Sequence, residues 1–285
     1  MAVSEIVLDQ RSATALAKEL GRSFAGDVLI AGQPEYDDSR TIWNAMVDKK
    51  PIVIARCTST EDVVASARLA RRHDLQVSVR GGGHGVTGKA LADGGLTIDL
   101  TRMRRVDVNP DGGVARVEGG CLLGDVDAAT AQHGMIVPAG IVSETGVGGL
   151  ALGGGIGWFS RKHALTCDNF QSLKLVTASG EIVTASETEH PDLFWALHGG
   201  GGNFGAVTEF EFNAHRFGPE MRIGVALHEP EDAVAALAEY AEIYPELPDR
   251  VGWHAALKQS MPGLPFVPEP LRGKRLLEED RKSVV

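Results

Sequence analysis

Cysteine is scarce in this chain. Only Cys57, Cys121 and Cys167 occur, widely spaced and odd in number, which argues against a disulfide framework. No C-x-x-C pair and no Cys/His cluster at zinc spacing is present, so no metal site is expected. No apolar run approaches the length needed to cross a bilayer. The opening stretch, MAVSEIVLDQRSATALAKEL, lacks the apolar centre of a secretory signal. These absences predict a cytoplasmic, reducing location and no membrane partner. Positive charge is also in deficit, with 28 Lys and Arg against 38 Asp and Glu and a net charge of −10. A nucleic-acid partner is therefore not expected, because phosphate neutralisation by a basic patch dominates that kind of binding. The short basic runs at 68–72 and 102–105 lie next to acidic residues and read as solvated surface.

What the chain has in excess is glycine: 35 of 285 residues, against a usual share of about 7%. No G-X-Y period appears, so collagen is excluded. The glycines gather at 81–85, 146–157 and 199–205, as expected of ligand loops. The hydrophobic share of 43% can fill a sizeable core, and the length is a soft prior for two domains.

Periodicity orders the elements between these clusters. A helix is expected over 11–20, with Gly21 as its stop. A strand over 52–55, a helix starting at Thr60 and a strand over 76–79 make a β-α-β unit that runs into the first cluster. Strands follow at 96–100, 106–109 and 114–118, the last two separated by the turn signal Asn109-Pro110-Asp111-Gly112-Gly113. Residues 122–133 return to helical spacing, whereas 140–157 are too glycine-rich for a stable helix or strand. A hairpin over 173–185 turns at Ser179-Gly180. A helix at 191–197 and a strand at 206–212 flank the third cluster. Composition shifts near Phe217-Gly218-Pro219, after which a strand (221–227), a helix (231–244) and a strand (251–257) begin a second α+β unit. Residues 272–285 show no core pattern.

Two strings match a dinucleotide fingerprint on paper: Gly146-Val147-Gly148-Gly149-Leu150-Ala151 and the run 200–205. A Rossmann NAD site needs a strand before the glycines and a helix after them. The first string follows Pro138-Ala139-Gly140, and the second lies between a helix and a strand. A Rossmann NAD-dependent dehydrogenase is therefore a disfavoured alternative. The first cluster, Arg80-Gly81-Gly82-Gly83-His84-Gly85, follows a strand, and its glycines allow consecutive N–H groups to face one concavity. Such a nest holds a pyrophosphate without basic side chains. Locally, an exposed turn histidine would explain His84 equally well.

VSVRGGGHG at 77–85 resembles the FAD loop of the vanillyl-alcohol oxidase and para-cresol methylhydroxylase superfamily, with its berberine-bridge-enzyme-like branch closest. LTIDLTRMRRVDV at 96–108, PAGIVSETGVGGLALGGGIGW at 138–158, RKHALTCDN at 161–169 and DLFWALHGGGGNFGAVTEFEF at 192–212 agree in order and spacing. The likeness covers roughly residues 40–215.

The resemblance implies an α+β, two-subdomain FAD-binding domain of the PCMH type over 1–216 (core about 47–216), then the start of an α+β substrate domain over 217–285. It implies covalent attachment of FAD through His84. Arg80, Gly81, Gly82, Gly83 and Gly85 would lie at the pyrophosphate. Thr145, Gly146, Gly148, Gly149 and Ala151 would lie along the flavin ring and ribityl chain, and Val207 at the adenosine end. Branch members that make a second link use a cysteine at the position of Val142, so one histidyl bond is expected here. Cys167 reads as a buried small hydrophobe, Asp168 and Asn169 as turn caps, and His163 as a solvated residue beside Arg161 and Lys162.

Family members continue well past this length, and the catalytic base usually lies in that further part, so no catalytic residue is assigned. The final six residues back-translate as GAT CGG AAG AGC GTC GTG, which resembles a sequencing adapter, and the expectation is a truncated or artefactual reading frame. The expected reaction is hydride removal from a C–H bond alpha to O or N of a sugar, alcohol or natural product, with reoxidation by O2. A catalytically impaired flavin-binding remnant is the other alternative.

Overall fold

The computed structural model describes residues 10–218, 221–260 and 267–284. The first sheet contains β1 (Asp27–Leu29), β2 (Val53–Arg56), β3 (Val77–Arg80) and β4 (Leu96–Asp99), in the order β1-β2-β4-β3. Both β2 and β3 run parallel to β4. The strand that follows the glycine loop thus inserts between the two strands that precede it. Helix α1 (Gln10–Leu20) and a longer helix over Thr60–Arg72 pack on this sheet, with a one-turn helix, α2 (Tyr36–Arg40), between them in sequence.

The helix over Thr60–Arg72, α3, is capped one residue earlier than its sequence suggests: Ser59 Oγ accepts the Asp62 N–H at 3.2 Å. Glu61 and Asp62 occupy its first turn and Arg71 and Arg72 its last, which suits the helix dipole. The buried Asp62 carboxylate accepts from Thr58 N, Thr58 Oγ1 and Ala25 N, so its charge is fully hydrogen-bonded.

The second sheet is antiparallel. It contains β5 (Val106–Asn109), β6 (Val114–Glu118), β8 (Phe170–Val176), β9 (Ile182–Ser186) and β10 (Ala206–Asn213), in the order β5-β6-β10-β8-β9. Alternation sets its two faces. Phe210 and Phe212 of β10 point inward and are fully buried, while Glu209 and Glu211 point out to Lys174 and Arg116. The inner face packs on α4 (Leu123–Ala131), α5 (Val147–Leu152) and α7 (Pro191–Leu197). A short ladder joins β7 (Met135–Ile136) to β11 (His215–Arg216).

Helix α5 corrects the expectation that 140–157 would hold no regular element. It lasts six residues and stops at Gly153, beyond which Gly154 and Gly155 take φ of +110° and +81°. Glycine limits the length of this helix without forbidding it, because Val147, Ala151 and Leu152 bury one face.

The third sheet has three antiparallel strands, β12 (Met221–His228), β13 (Val251–Gln259) and β14 (Arg275–Val284), with β14 in the middle. This overturns the reading of 272–285 as patternless. Leu276 and Leu277 are buried, and Leu277 packs on Ala233 and Ala236 of α8 (Ala233–Ile243). A central strand draws its order from two neighbours, so adjacent leucines and a run of acids suffice. Glu278 meets Lys258 at 2.8 Å and buried Glu279 lies 3.6 Å from His228.

Helix α6 (Ser160–His163) sits at the junction of the second and third sheets. Arg161 donates to Tyr244 O and Leu247 O, each at 2.7 Å, and lies over the Tyr244 ring at 4.3 Å. Trp158 stacks on His254 at 4.3 Å. His163 stacks on His215 at 4.0 Å. The expected solvated face at 161–163 is therefore a packed seam, and only Lys162 is exposed. No helix among the described residues is long and apolar enough to cross a membrane.

Candidate functional site

Strand β3 delivers the chain into the loop at 81–85, and the requirements of that loop are visible in its backbone. Gly83 has φ of +68°, a region costly for residues with a Cβ. A Cβ on Gly82 would sit 2.5 Å from Gly146 N. Among the described residues, none of the N–H groups of 81–85 donates to a protein acceptor. Unpaired, consecutive and at the cleft wall, they form a nest suited to an anion.

The loop forms part of the wall of a cleft of about 1180 Å³, above the range of about 300–1,000 Å³ usual for small-ligand pockets. Gly81, Gly82, Gly83, His84 and Gly85 line one stretch. Thr145, Gly146, Gly148 and Gly149, from the start of α5, line a second, and Val207 and Phe210 of β10 line a third. Ten of the twelve residues expected at the cofactor are thus brought together.

Arg80 and Ala151 are not on the wall. The Arg80 guanidinium turns away to Ser39 O and Thr41 O, 4.0 Å from Asp99, so it braces the loop from behind. Ala151 is fully buried in the core under α5. Its small side chain allows the helix to pack while its neighbours face the cleft.

Sequence reasoning missed three cations on the wall, Lys49, Arg71 and Lys89. They come from separate segments that no glycine motif marks. It also missed the segment that straps the loop. Trp43 N donates to Gly83 O at 3.1 Å, Asn44 Nδ2 to Val86 O at 2.7 Å, and Lys49 Nζ to Gly88 O and Leu91 O at 2.8 and 3.1 Å. The Trp43 indole stacks on the His84 imidazole at 4.8 Å.

Several other expectations can be placed directly. No cysteine lies on the cleft wall, and Val142 is exposed. Cys167 is buried. Asp168 accepts the Leu165 N–H and Asn169 donates to His163 O and Leu165 O, which are turn-capping bonds. Neither paper match to the dinucleotide fingerprint has Rossmann order: no strand enters Gly146, and the run 200–205 lies between α7 and β10.

The glycine contacts fit a flat, extended dinucleotide whose backbone approach side chains would block, and the free amides fit its diphosphate. Comparison with known proteins agrees. Residues 51–186 match the family described as "FAD binding domain". (R)-6-hydroxynicotine oxidase of Paenarthrobacter nicotinovorans is 38% identical over 202 residues, covering 71% of this chain and 44% of that protein. Glucooligosaccharide oxidase of Sarocladium strictum is 42% identical over 181 residues, or 62% of this chain and 36% of that one. The solved structure of Physcomitrella patens BBE-like 1 superposes with a TM-score of 0.84 at 25% identity, over 94% of this chain and 56% of that one. The chain spans about half the length of the relatives it matches. Over residues 51–186 the chain carries this FAD binding domain, and it is similar to proteins described as FAD-linked oxidoreductases.

Proposed function

We propose that this chain is the flavin-holding part of an oxidoreductase that removes hydride from a C–H bond alpha to O or N of a small organic substrate, with FAD bound covalently through His84 alone. The observation that carries this reading is the convergence of three glycine segments and His84 on one cleft whose loop amides have no protein partner. FAD, when bound, supplies the hydride acceptor and passes the electrons to O2. The amides of 81–85 hold the diphosphate, and Lys49, Arg71 and Lys89 offset the negative charge of an acidic chain. Gly146, Gly148 and Gly149 admit the ring and ribityl chain, Thr145 borders the ring and Val207 meets the adenosine. Arg80 and Ala151 act from behind the wall. Residues 1–216 form the flavin-binding part and 217–285 begin the part that covers the substrate. A cytoplasmic location belongs to the same reading.

The named relatives support the substrate class. A hydroxynicotine carries C–H bonds beside nitrogen and a gluco-oligosaccharide carries them beside oxygen.

An absorbance spectrum before and after acid precipitation tests the proposal. Yellow colour that stays with the pellet, and a flavin-bearing peptide containing His84 and no other linked residue, are expected. His84→Ala should make the flavin extractable. Colourless protein that binds NAD would overturn the reading. Yellow protein inert toward amines, alcohols and sugars would support flavin binding without turnover.

A further inference from the structure

His84 lies between Gly83 and Gly85, on a loop whose own side chains cannot hold its ring. Among the described residues neither ring nitrogen of His84 has a hydrogen-bond partner. The resolved restraint on its imidazole is the Trp43 indole, with centroids 4.8 Å apart and planes inclined by 19°. Trp43 is itself 62% exposed, so core packing does not explain its place. Backbone and side-chain bonds fix it there: Trp43 N to Gly83 O on one side of His84, and Asn44 Nδ2 to Val86 O on the other. An imidazole held flat by an aromatic plane, with both nitrogens free, suits a ring that must present one nitrogen to a carbon electrophile.

We infer that Trp43 is a positioning residue for flavin attachment: its indole sets the plane of the His84 ring so that one nitrogen faces the 8α carbon of the flavin. The inference rests on the proposed role of His84. In the attachment a bond forms between that nitrogen and the 8α carbon. One proton leaves the carbon and one leaves the imidazole, and the released electron pair enters the flavin ring. That pair passes to O2, which with the two protons gives hydrogen peroxide. Trp43 takes no part in these bond changes and acts through orientation alone.

The test follows acid-stable flavin over time after FAD is added to flavin-free protein, together with total bound flavin. Trp43→Ala should retain total flavin while attachment slows by about tenfold, the scale of losing one aromatic pair. Trp43→Phe should restore the rate to within about twofold, since a ring face is regained. Trp195→Ala, which removes an exposed indole outside the cleft wall and leaves the stack, should attach at the rate of the unaltered protein.

Attachment by Trp43→Ala at the unaltered rate would overturn the inference. So would equal slowing by Trp195→Ala, which would show that the loss is not specific to the stack. If Trp43→Ala does not fold, Trp43→Leu and Trp43→Phe decide: slow Leu with normal Phe supports the role, and equal rates refute it. Acid-stable flavin absent from the unaltered protein would instead remove the role of His84, and this inference with it.

Discussion

Gly82 and Gly146 meet backbone to backbone. A Cβ on Gly82 would lie 2.5 Å from Gly146 N, and one on Gly146 would press still closer on Gly82 N. The loop after β3 thereby rests against the start of α5, and this single contact sets the separation of two walls of the cleft. Both obstacles are main chain, so no rotamer change relieves an added methyl group.

Gly82→Ala and Gly146→Ala should each force the two walls apart. The expected cost is about 1–3 kcal/mol, the range for overpacking a tight interior, together with loss of most bound flavin. Thermal denaturation with and without FAD, and the flavin-to-protein ratio, measure both effects. Unchanged flavin content in both variants would show that the contact does not govern the cleft.

Gly149 should behave differently, although it belongs to the same cluster. A Cβ there meets nothing within 4 Å, and the residue sits inside α5, where alanine is favoured over glycine by up to about 1 kcal/mol. Gly149→Ala should leave the flavin-free protein as stable as before or slightly more so. Because Gly149 lines the cleft, FAD affinity should nevertheless fall by about tenfold or more. Titration of flavin-free protein with FAD, set beside its thermal midpoint, separates the two. Loss of stability without loss of affinity would remove Gly149 from the binding surface.

Much of this arrangement is legible in the chain because local signals coincide. The turn signal at 109–113 produces the hairpin of β5 and β6 with the expected bounds, and Pro191 opens α7 where expected. What escapes depends on contacts distant in sequence. The strap through Trp43, Asn44 and Lys49 reaches about 40 residues ahead to carbonyls of the loop, and no spacing rule announces it. Strand β4 inserts between β2 and β3, a choice made by sheet packing. Strand β14 carries Glu278, Glu279 and Asp280 into a central position, against the usual preference for apolar residues in strands.

Arg161 links the second and third sheets through two carbonyls that lose a donor if it is removed. Arg161→Ala should cost about 1–3 kcal/mol, the penalty for stranding such acceptors, with the effect confined to one region. Hydrogen exchange should quicken over 244–259 and remain unchanged in β6, β8 and β10. Arg161→Lys should rescue little, because a single ammonium does not reproduce the fork that reaches Tyr244 O and Leu247 O together. Uniform quickening across the second sheet would mean that Arg161 supports the whole fold and not the seam.

The stacked pair His163 and His215 predicts how that seam responds to acid. Burial holds the His163 imidazole down to about 4 from its ordinary 6.5, and the neighbouring His215 and Lys162 add to the effect. Burial lowers His215 as well, with Lys162 the smaller cause. Its Nε2 lies 2.6 Å from Asn169 Oδ1, an acceptor that keeps a proton on that nitrogen. In the unfolded chain both rings take up protons near 6.5, whereas in the fold they remain neutral to lower pH. The contribution is therefore fully present above about 6.5 and is lost as pH falls toward about 4. Both rings are partly open to water, so screening moderates the loss. His163→Phe keeps a ring on His215 without a second titrating group, and should lose less stability than the unaltered protein across that window. Thermal midpoints measured between pH 8 and pH 4 decide the matter: if the two profiles run parallel, other groups cause the acid sensitivity, and the histidine pair contributes packing alone.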